Sequence, residues 1–193
     1  MKVQIDRTYP MPCSALVAWE FLQNVEAVAG CMPGAKITER LGAGRFKGTV
    51  TVRVGPATMS FRGEVEMRDV DPVAHTLRLL GKGTDSTGSS GAAMNLTARI
   101  EAAEGDFCAL VGASEVSMSG QAAAFGGRMM NTVADTILRQ FADNFAAQVS
   151  ALQAQRPAPA PATGELNGLA LVWTLFKHWL GGLFSKKAAK KPV

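Results

Sequence analysis

The sequence is poor in the residues that carry out chemistry. Its 193 residues include two histidines, three cysteines and one tyrosine. Cys13, Cys31 and Cys108 are odd in number and far apart. No CxxC spacing or Cys/His cluster accompanies them, which argues against a disulfide framework and against a metal site. His75 is the only histidine before His178. General acid–base work needs a positioned partner; none stands beside His75, which reads as a surface or turn residue next to Asp71-Pro72. The thiols lack an activating neighbour, and Cys31, beside Pro33-Gly34, reads as packing. Neither a catalytic residue nor a metal or covalent cofactor is expected, and the reading is of a non-enzyme. The N-terminus, Met1–Asp6, lacks the apolar run and cleavage site of a secretory signal. The expectation is a cytoplasmic protein with reduced thiols.

Basic charge is also missing from most of the chain. Residues 1–155 hold 14 Lys+Arg and 15 Asp+Glu, whereas residues 156–193 hold 6 and 1. The formal net charge of +4 is therefore a property of the C-terminal tail. A nucleic-acid-binding domain would carry its basic face on the folded part, so nucleic acid is not an expected partner.

The pattern along residues 1–155 predicts one folded α+β domain. Lys2–Tyr9 alternates as a strand and is broken by Pro10-Met11-Pro12. Ser14 is placed to cap a short helix over 15–22, with Leu16 and Trp19, joined by Val17 and Phe21, facing inward. A second helical turn covers 25–29 and stops at Cys31-Met32-Pro33-Gly34-Ala35. From Lys36 the period changes to two. Strands are predicted over 36–41, 45–54, 58–70, 75–84, 93–102 and 107–118, separated by turn chemistry such as Gly55-Pro56 and Asp71-Pro72. Such short connections imply an antiparallel meander with one wet face. Glu64 and Glu66 fall on that wet face. Gly120 ends the sheet, and residues 121–154 carry an apolar stripe at i, i+4 from Phe125 to Val149, fitting a long helix laid across a curved sheet.

Two glycine-rich stretches, Gly81-Lys82-Gly83-Thr84 and Gly88-Ser89-Ser90-Gly91, fail the phosphate-loop spacing and are not followed by a helix. They read as sites of strand curvature, a hairpin and close approach by the long helix. A different set forms the candidate ligand cavity: Phe46, Val50, Val52, Met59, Phe61, Val65, Met67, Met94 and Leu96 from the sheet, with Met129, Val133, Ile137 and Phe141 from the helix. These residues either fill a core or wall an apolar cavity. Nine methionines and only 7% aromatic residues favour flexible walls and unfilled space.

Residues 156–165 form a Pro/Ala-rich linker with Pro157, Pro159 and Pro161. Its first eight residues would reach roughly 25 Å if extended. Residues 166–185 follow as an amphipathic segment. On a helical wheel Leu169, Val172, Trp173, Phe176, Trp179, Leu180 and Leu183 share one arc, with Lys177 and His178 opposite. Lys186, Lys187, Lys190 and Lys191 crowd the basic tail, 186–193. Three readings are open: a helix lying in a membrane interface, a spanning helix, or docking onto a protein partner or the mouth of the domain's own pocket. Lys177 would stand near the centre of a spanning helix at a cost of about 2.5–3.5 kcal/mol, which favours the interface. The lysines would each add about 1 kcal/mol toward an anionic leaflet.

The element order is that of the helix-grip fold of the START-like (SRPBCC) superfamily. Cys31-Met32-Pro33-Gly34-Ala35 resembles a "C-x-P-G-A" corner of the carbon monoxide dehydrogenase G-subunit (CoxG) family. Phe46-Lys47-Gly48, Val54-Gly55-Pro56, Phe61-Arg62-Gly63, Gly81-Lys82-Gly83-Thr84-Asp85, Ser119-Gly120 and Ala124-Phe125-Gly126 follow in the expected order. The resemblance covers about residues 1–150. It implies an accessory protein that recruits a carbon monoxide dehydrogenase-like molybdenum hydroxylase to the inner face of the cytoplasmic membrane. It also implies a cavity that takes a lipophilic molecule such as a quinone. A general carrier of lipids or other hydrophobic small molecules, or an assembly factor for the hydroxylase, is the alternative.

Overall fold

The computed structural model describes residues 1–55 and 57–156. The linker beyond Arg156, the segment 166–185 and the basic tail lie outside the described residues. Seven strands form one antiparallel sheet: β1 (Lys2–Met11), β2 (Ala35–Gly42), β3 (Arg45–Val54), β4 (Ala57–Asp71), β5 (Thr76–Asp85), β6 (Ser90–Ala102) and β7 (Cys108–Gly120). Their order is β1-β7-β6-β5-β4-β3-β2. Two short helices, α1 (Ala15–Leu22) and α2 (Val25–Cys31), join the two edge strands, and a long helix, α3 (Gly126–Gln155), follows β7. This is the helix-grip arrangement.

Local chemistry explains the starts and stops. The Ser14 hydroxyl accepts from the Val17 N–H and the Asn24 side chain from the Ala27 N–H, satisfying orphan donors at the starts of α1 and α2. The corner after α2 depends on Gly34. Its φ is +76°, and a Cβ there would lie 2.2 Å from the Thr51 carbonyl oxygen. With no side chain in the way, the Gly34 carbonyl accepts from the Thr51 N–H at 2.9 Å and seats β2 against β3.

Four details differ from expectation. β1 continues through Pro10, which pairs with Ala109; an edge strand tolerates a residue with no N–H to donate. Leu16 faces outward and is 53% exposed, because the buried face of α1 is Val17, Ala18, Phe21 and Leu22, with Trp19 beside it. The long helix begins at Gly126 rather than 121; residues Gln121–Phe125 form a 3-10 turn bounded by Gly120 and Gly126, both at positive φ. Finally, the close approach at the central glycines is between strands, not to the long helix. A Cβ on Gly63 would stand 1.9 Å from the Lys82 carbonyl oxygen, and one on Gly83 would stand 3.0 Å from that of Arg62.

The packed core sits at one end of the sheet. Leu77, Ala98, Ile100, Cys108 and Leu110 of the inner face meet Val17, Ala18, Trp19, Phe21 and Leu22 of α1, and Ala142, Phe145 and Val149 of α3. Phe145 and Val149 are fully buried. Phe21 and Phe145 pack edge to face, with ring centroids 4.9 Å apart. The same end is fastened by the Gln153 side chain, which accepts from the Ser14 hydroxyl, by Asn144 donating to the Cys31 carbonyl, and by Arg156 paired with Glu20.

Gly63→Ala is expected to destabilise the domain by about 2–3 kcal/mol, since the new methyl meets backbone that cannot yield. Gly127→Ala, where a Cβ would meet nothing within 4 Å, is expected to be neutral or to stabilise by up to about 1 kcal/mol. Urea unfolding of the two variants checks both signs.

Candidate ligand-binding cleft

The antiparallel register brings the candidate residues into transverse rows on the inner face. Phe46, Val65, Gly81, Met94, Val116 and Val3 form one row across six strands. Met67, Leu79, Leu96, Ser114 and Ile5 form the next, toward the packed core. On the far side, Gly48, Gly63, Gly83 and Ala92 form a row that is almost bare backbone. Beyond it Val50 pairs with Phe61, and Val52 with Met59.

Burial divides these residues into two groups. Met67, Leu96 and Phe141 pack against the core cluster, and Phe46 is buried. Val50, Val52, Met59, Phe61, Val65 and Met94 are only half-buried, as are Val133 and Ile137 on α3. Met129, in the first turns of α3, is 43% exposed. The i, i+4 spacing places Val133, Ile137, Phe141 and Phe145 on one side of α3, yet only the last is fully buried. The main backbone contacts of α3 are with β1, α1, α2 and β3, not with the middle strands β4, β5 and β6. The second half of the helix is thus the more deeply packed; in the first half Val133 and Ile137 are half-buried and Asp135 pairs with Arg7 of β1.

Two surface grooves lie elsewhere. One, of about 410 Å³, is bounded by α2 and β2 and holds the Arg40–Glu26 pair; the other, of about 360 Å³, lies between α1 and the end of α3 and holds Arg156–Glu20. Both are rimmed by exposed ion pairs, and neither lies under the first half of α3.

The titratable groups are engaged in structure. The acidic run of β4 lies outside the cleft: Glu64 pairs with Arg45, Glu66 with Arg68 and Asp69 with Arg78, while Asp71 accepts from the Val73 and Ala74 N–H groups. The Asp85 carboxylate is held below its usual range, first by the Thr87 hydroxyl and further by Ser90 N–H and Ser89. Ser90 in turn accepts from the Ala122 N–H at 3.0 Å, so the serine-rich hairpin is tied to its own backbone and to the 3-10 turn. His75 stands in the turn between β4 and β5 at positive φ and stacks on Trp19, with ring centroids 5.4 Å apart. That contact joins residues 56 positions apart in the chain and leaves no local signal. The same holds for Cys13 and Cys108, whose sulfurs approach to 3.9 Å in the core. Burial pushes both thiols up, and Cys108 reaches about 12. Cys31 is buried and raised for the same reason. None of the three is a poised nucleophile.

A curved sheet closed at one end by short helices and gripped by a long C-terminal helix is a known plan. The model of the carbon monoxide dehydrogenase G-subunit (CoxG) family matches residues 13–150. The chain belongs to the CoxG family. That family takes its name from carbon monoxide dehydrogenase, so membership associates the chain with that enzyme as an accessory. Among solved structures, a conserved protein from Geobacillus kaustophilus aligns with a TM-score of 0.70 and 17% identity, covering 77% of this chain and 96% of the other. The Zhui aromatase/cyclase from Streptomyces sp. R1128 aligns at 0.56 and 16% identity, covering 78% and 94%. A START superfamily protein from Mycobacterium smegmatis aligns at 0.52 and 17% identity, covering 77% and 98%. At these identities the likeness shows a shared fold. No curated protein sequence matches the chain. Among the described residues of this CoxG-family chain, no helix is long and apolar enough to cross a membrane.

Truncating the two halves of α3 should have unequal costs. Phe145→Ala is expected to cost about 3–5 kcal/mol, and Ile137→Ala about 1 kcal/mol, because much of that side chain already meets solvent; equilibrium unfolding gives both values. The thiols set a pH dependence. Since the fold favours neutral Cys108, its contribution is complete below about pH 8 and is lost as pH rises from 9.0 toward about 12. The difference in urea midpoint between the native chain and Cys108→Ala should shrink over that window.

Proposed function

We propose that this CoxG-family chain is a non-catalytic accessory protein that holds a carbon monoxide dehydrogenase-like molybdenum hydroxylase at the inner face of the cytoplasmic membrane and carries a lipophilic molecule, a quinone, for electron transfer. The observation that carries the cargo reading is the run of apolar side chains left half-buried on the inner face of the sheet. Val50, Phe61, Val65 and Met94 are apolar and half-buried on the face that also carries the packed core. Leaving such surface wet forgoes about 25 cal/mol for each Å² that could be buried. An apolar occupant recovers it, and pockets for small molecules are mostly apolar with a few placed polar groups. A quinone suits this site: an apolar body with two carbonyl acceptors.

Membrane attachment rests on the tail. The arc of Leu169, Val172, Trp173, Phe176, Trp179, Leu180 and Leu183, followed by four lysines, has the composition of an interfacial segment. The folded domain adds no net positive charge of its own, so attraction to anionic lipid would come from the tail and weaken with salt. A non-catalytic role is supported by the engaged state of the titratable groups: His75 is stacked at the closed end, and the thiols are buried beside the core.

Deleting residues 165–193 is expected to release the protein from liposomes containing anionic lipid. Continued co-sedimentation of the truncated chain would reject the anchor. Native mass spectrometry of the full chain, isolated without harsh detergent, is expected to show an added mass matching an isoprenoid quinone; an empty chain that also takes up none on addition would reject the cargo.

A further inference from the structure

Most of the inner face of the sheet is apolar, and on its β7–β1 side it carries Ser114 and Arg7. We propose that Ser114 and Arg7, on the β7–β1 side of the cleft, form the polar subsite that reads a carbonyl on the cleft's occupant. This inference rests on the reading of the cleft as a ligand site.

Ser114 pairs with Ile5 on one side and Leu96 on the other, in the row that continues through Leu79 and Met67. A hydroxyl in such a row normally binds a neighbouring backbone or side-chain group. Ser114 makes no side-chain hydrogen bond with the described residues, and it is not sealed away, since no buried polar side-chain atom among them lacks a partner. Its hydroxyl is therefore accessible to solvent or to a ligand.

Arg7 is its diagonal neighbour. It pairs with Gly112, two residues before Ser114 on β7, and diagonal residues on one face of an antiparallel pair lie within reach of a long side chain. Nε and Nη2 donate to the Asp135 carboxylate on α3, and Nη1 donates to the Asp6 carbonyl. A guanidinium has five N–H donors; one on each terminal nitrogen is left without a partner among the described residues. The Asp135 pair orients the group and neutralises it, which suits a neutral acceptor better than an anion. Tyr9, the next inward residue on β1, instead packs against the closed core.

The subsite is thus a hydroxyl and a spare N–H carried by diagonal neighbours at the edge of an apolar floor. It fits an elongated apolar molecule that ends in a carbonyl-bearing ring. The ring lies near Ser114, and the chain runs along the bare glycine row toward Val50 and Phe61.

Equilibrium dialysis of the full chain against two matched probes, a decyl-substituted benzoquinone and decylbenzene, tests this. Ser114→Ala is expected to weaken the quinone by about tenfold, the loss of one hydrogen bond, and to leave decylbenzene within about twofold. Ser114→Thr, which keeps the hydroxyl, is expected to retain quinone binding. Equal losses for both probes, or an unchanged quinone affinity in Ser114→Ala, would overturn the subsite while leaving the cleft intact. Failure of both probes to bind the native chain would overturn the cleft reading itself, and the subsite with it.

Discussion

The architecture depends on the docking of the last turns of α3 into the core. Ala142, Phe145 and Val149 are held in the core with Phe21 and its neighbours on α1. Polar contacts at Asn144, Gln153 and Arg156 fix the same segment. A 30-residue helix is about 45 Å long, so a clamp on its last turns sets the position of the rest. The first half is tied to the edge of the sheet by the Asp135–Arg7 pair, and its apolar side chains are less buried than those of the second half.

Much of this is legible in the sequence because it depends on local periodicity. The alternation through Phe46, Val50, Val52 and Val54 places β3 at the residues the structure shows, and Ser14 caps α1 as expected. The start of α3 is not legible in the same way. The apolar stripe begins at Phe125, but the positive φ of Gly126 ends the 3-10 turn and restarts the chain, and stripe patterns do not register backbone breaks. Leu16 is apolar and so reads as inward. Its outward position follows from the rotation of α1 about Trp19, which tertiary packing sets. The candidate cleft is legible as a set of inward residues, since register fixes which side chains share a face. Their degree of burial is not, because that depends on how far α3 stands from the middle strands. The Trp19–His75 stack, the Cys13–Cys108 contact and the Arg7–Asp135 pair each join distant segments and leave no trace in composition or spacing.

The charge distribution divides the work between the parts of the chain. On the folded domain the arginines and carboxylates of β3, β4 and β5 pair with one another on exposed surface, and such pairs add little stability. Their effect is to leave the domain near neutrality, with no broad field to draw it onto lipid or nucleic acid. The surplus positive charge stands from residue 156 onward. The surplus positive charge and the apolar inner face thus lie on different stretches of sequence.

The two sheet edges carry a further consequence. β1 is interrupted as a donor by Pro10 and displays Lys2 and Asp6 on its exposed face, while β2 has register shifts after Ile37 and Arg40 and exposes Lys36, Glu39 and Arg40. Proline, charge and bulges are the devices by which edges avoid pairing with other chains. Bare edges would otherwise invite strand exchange with unfolded neighbours or with other copies. With both edges spoiled, recognition of another macromolecule must run through side chains, and specificity is set by surface chemistry rather than by the generic hydrogen bonding of the backbone.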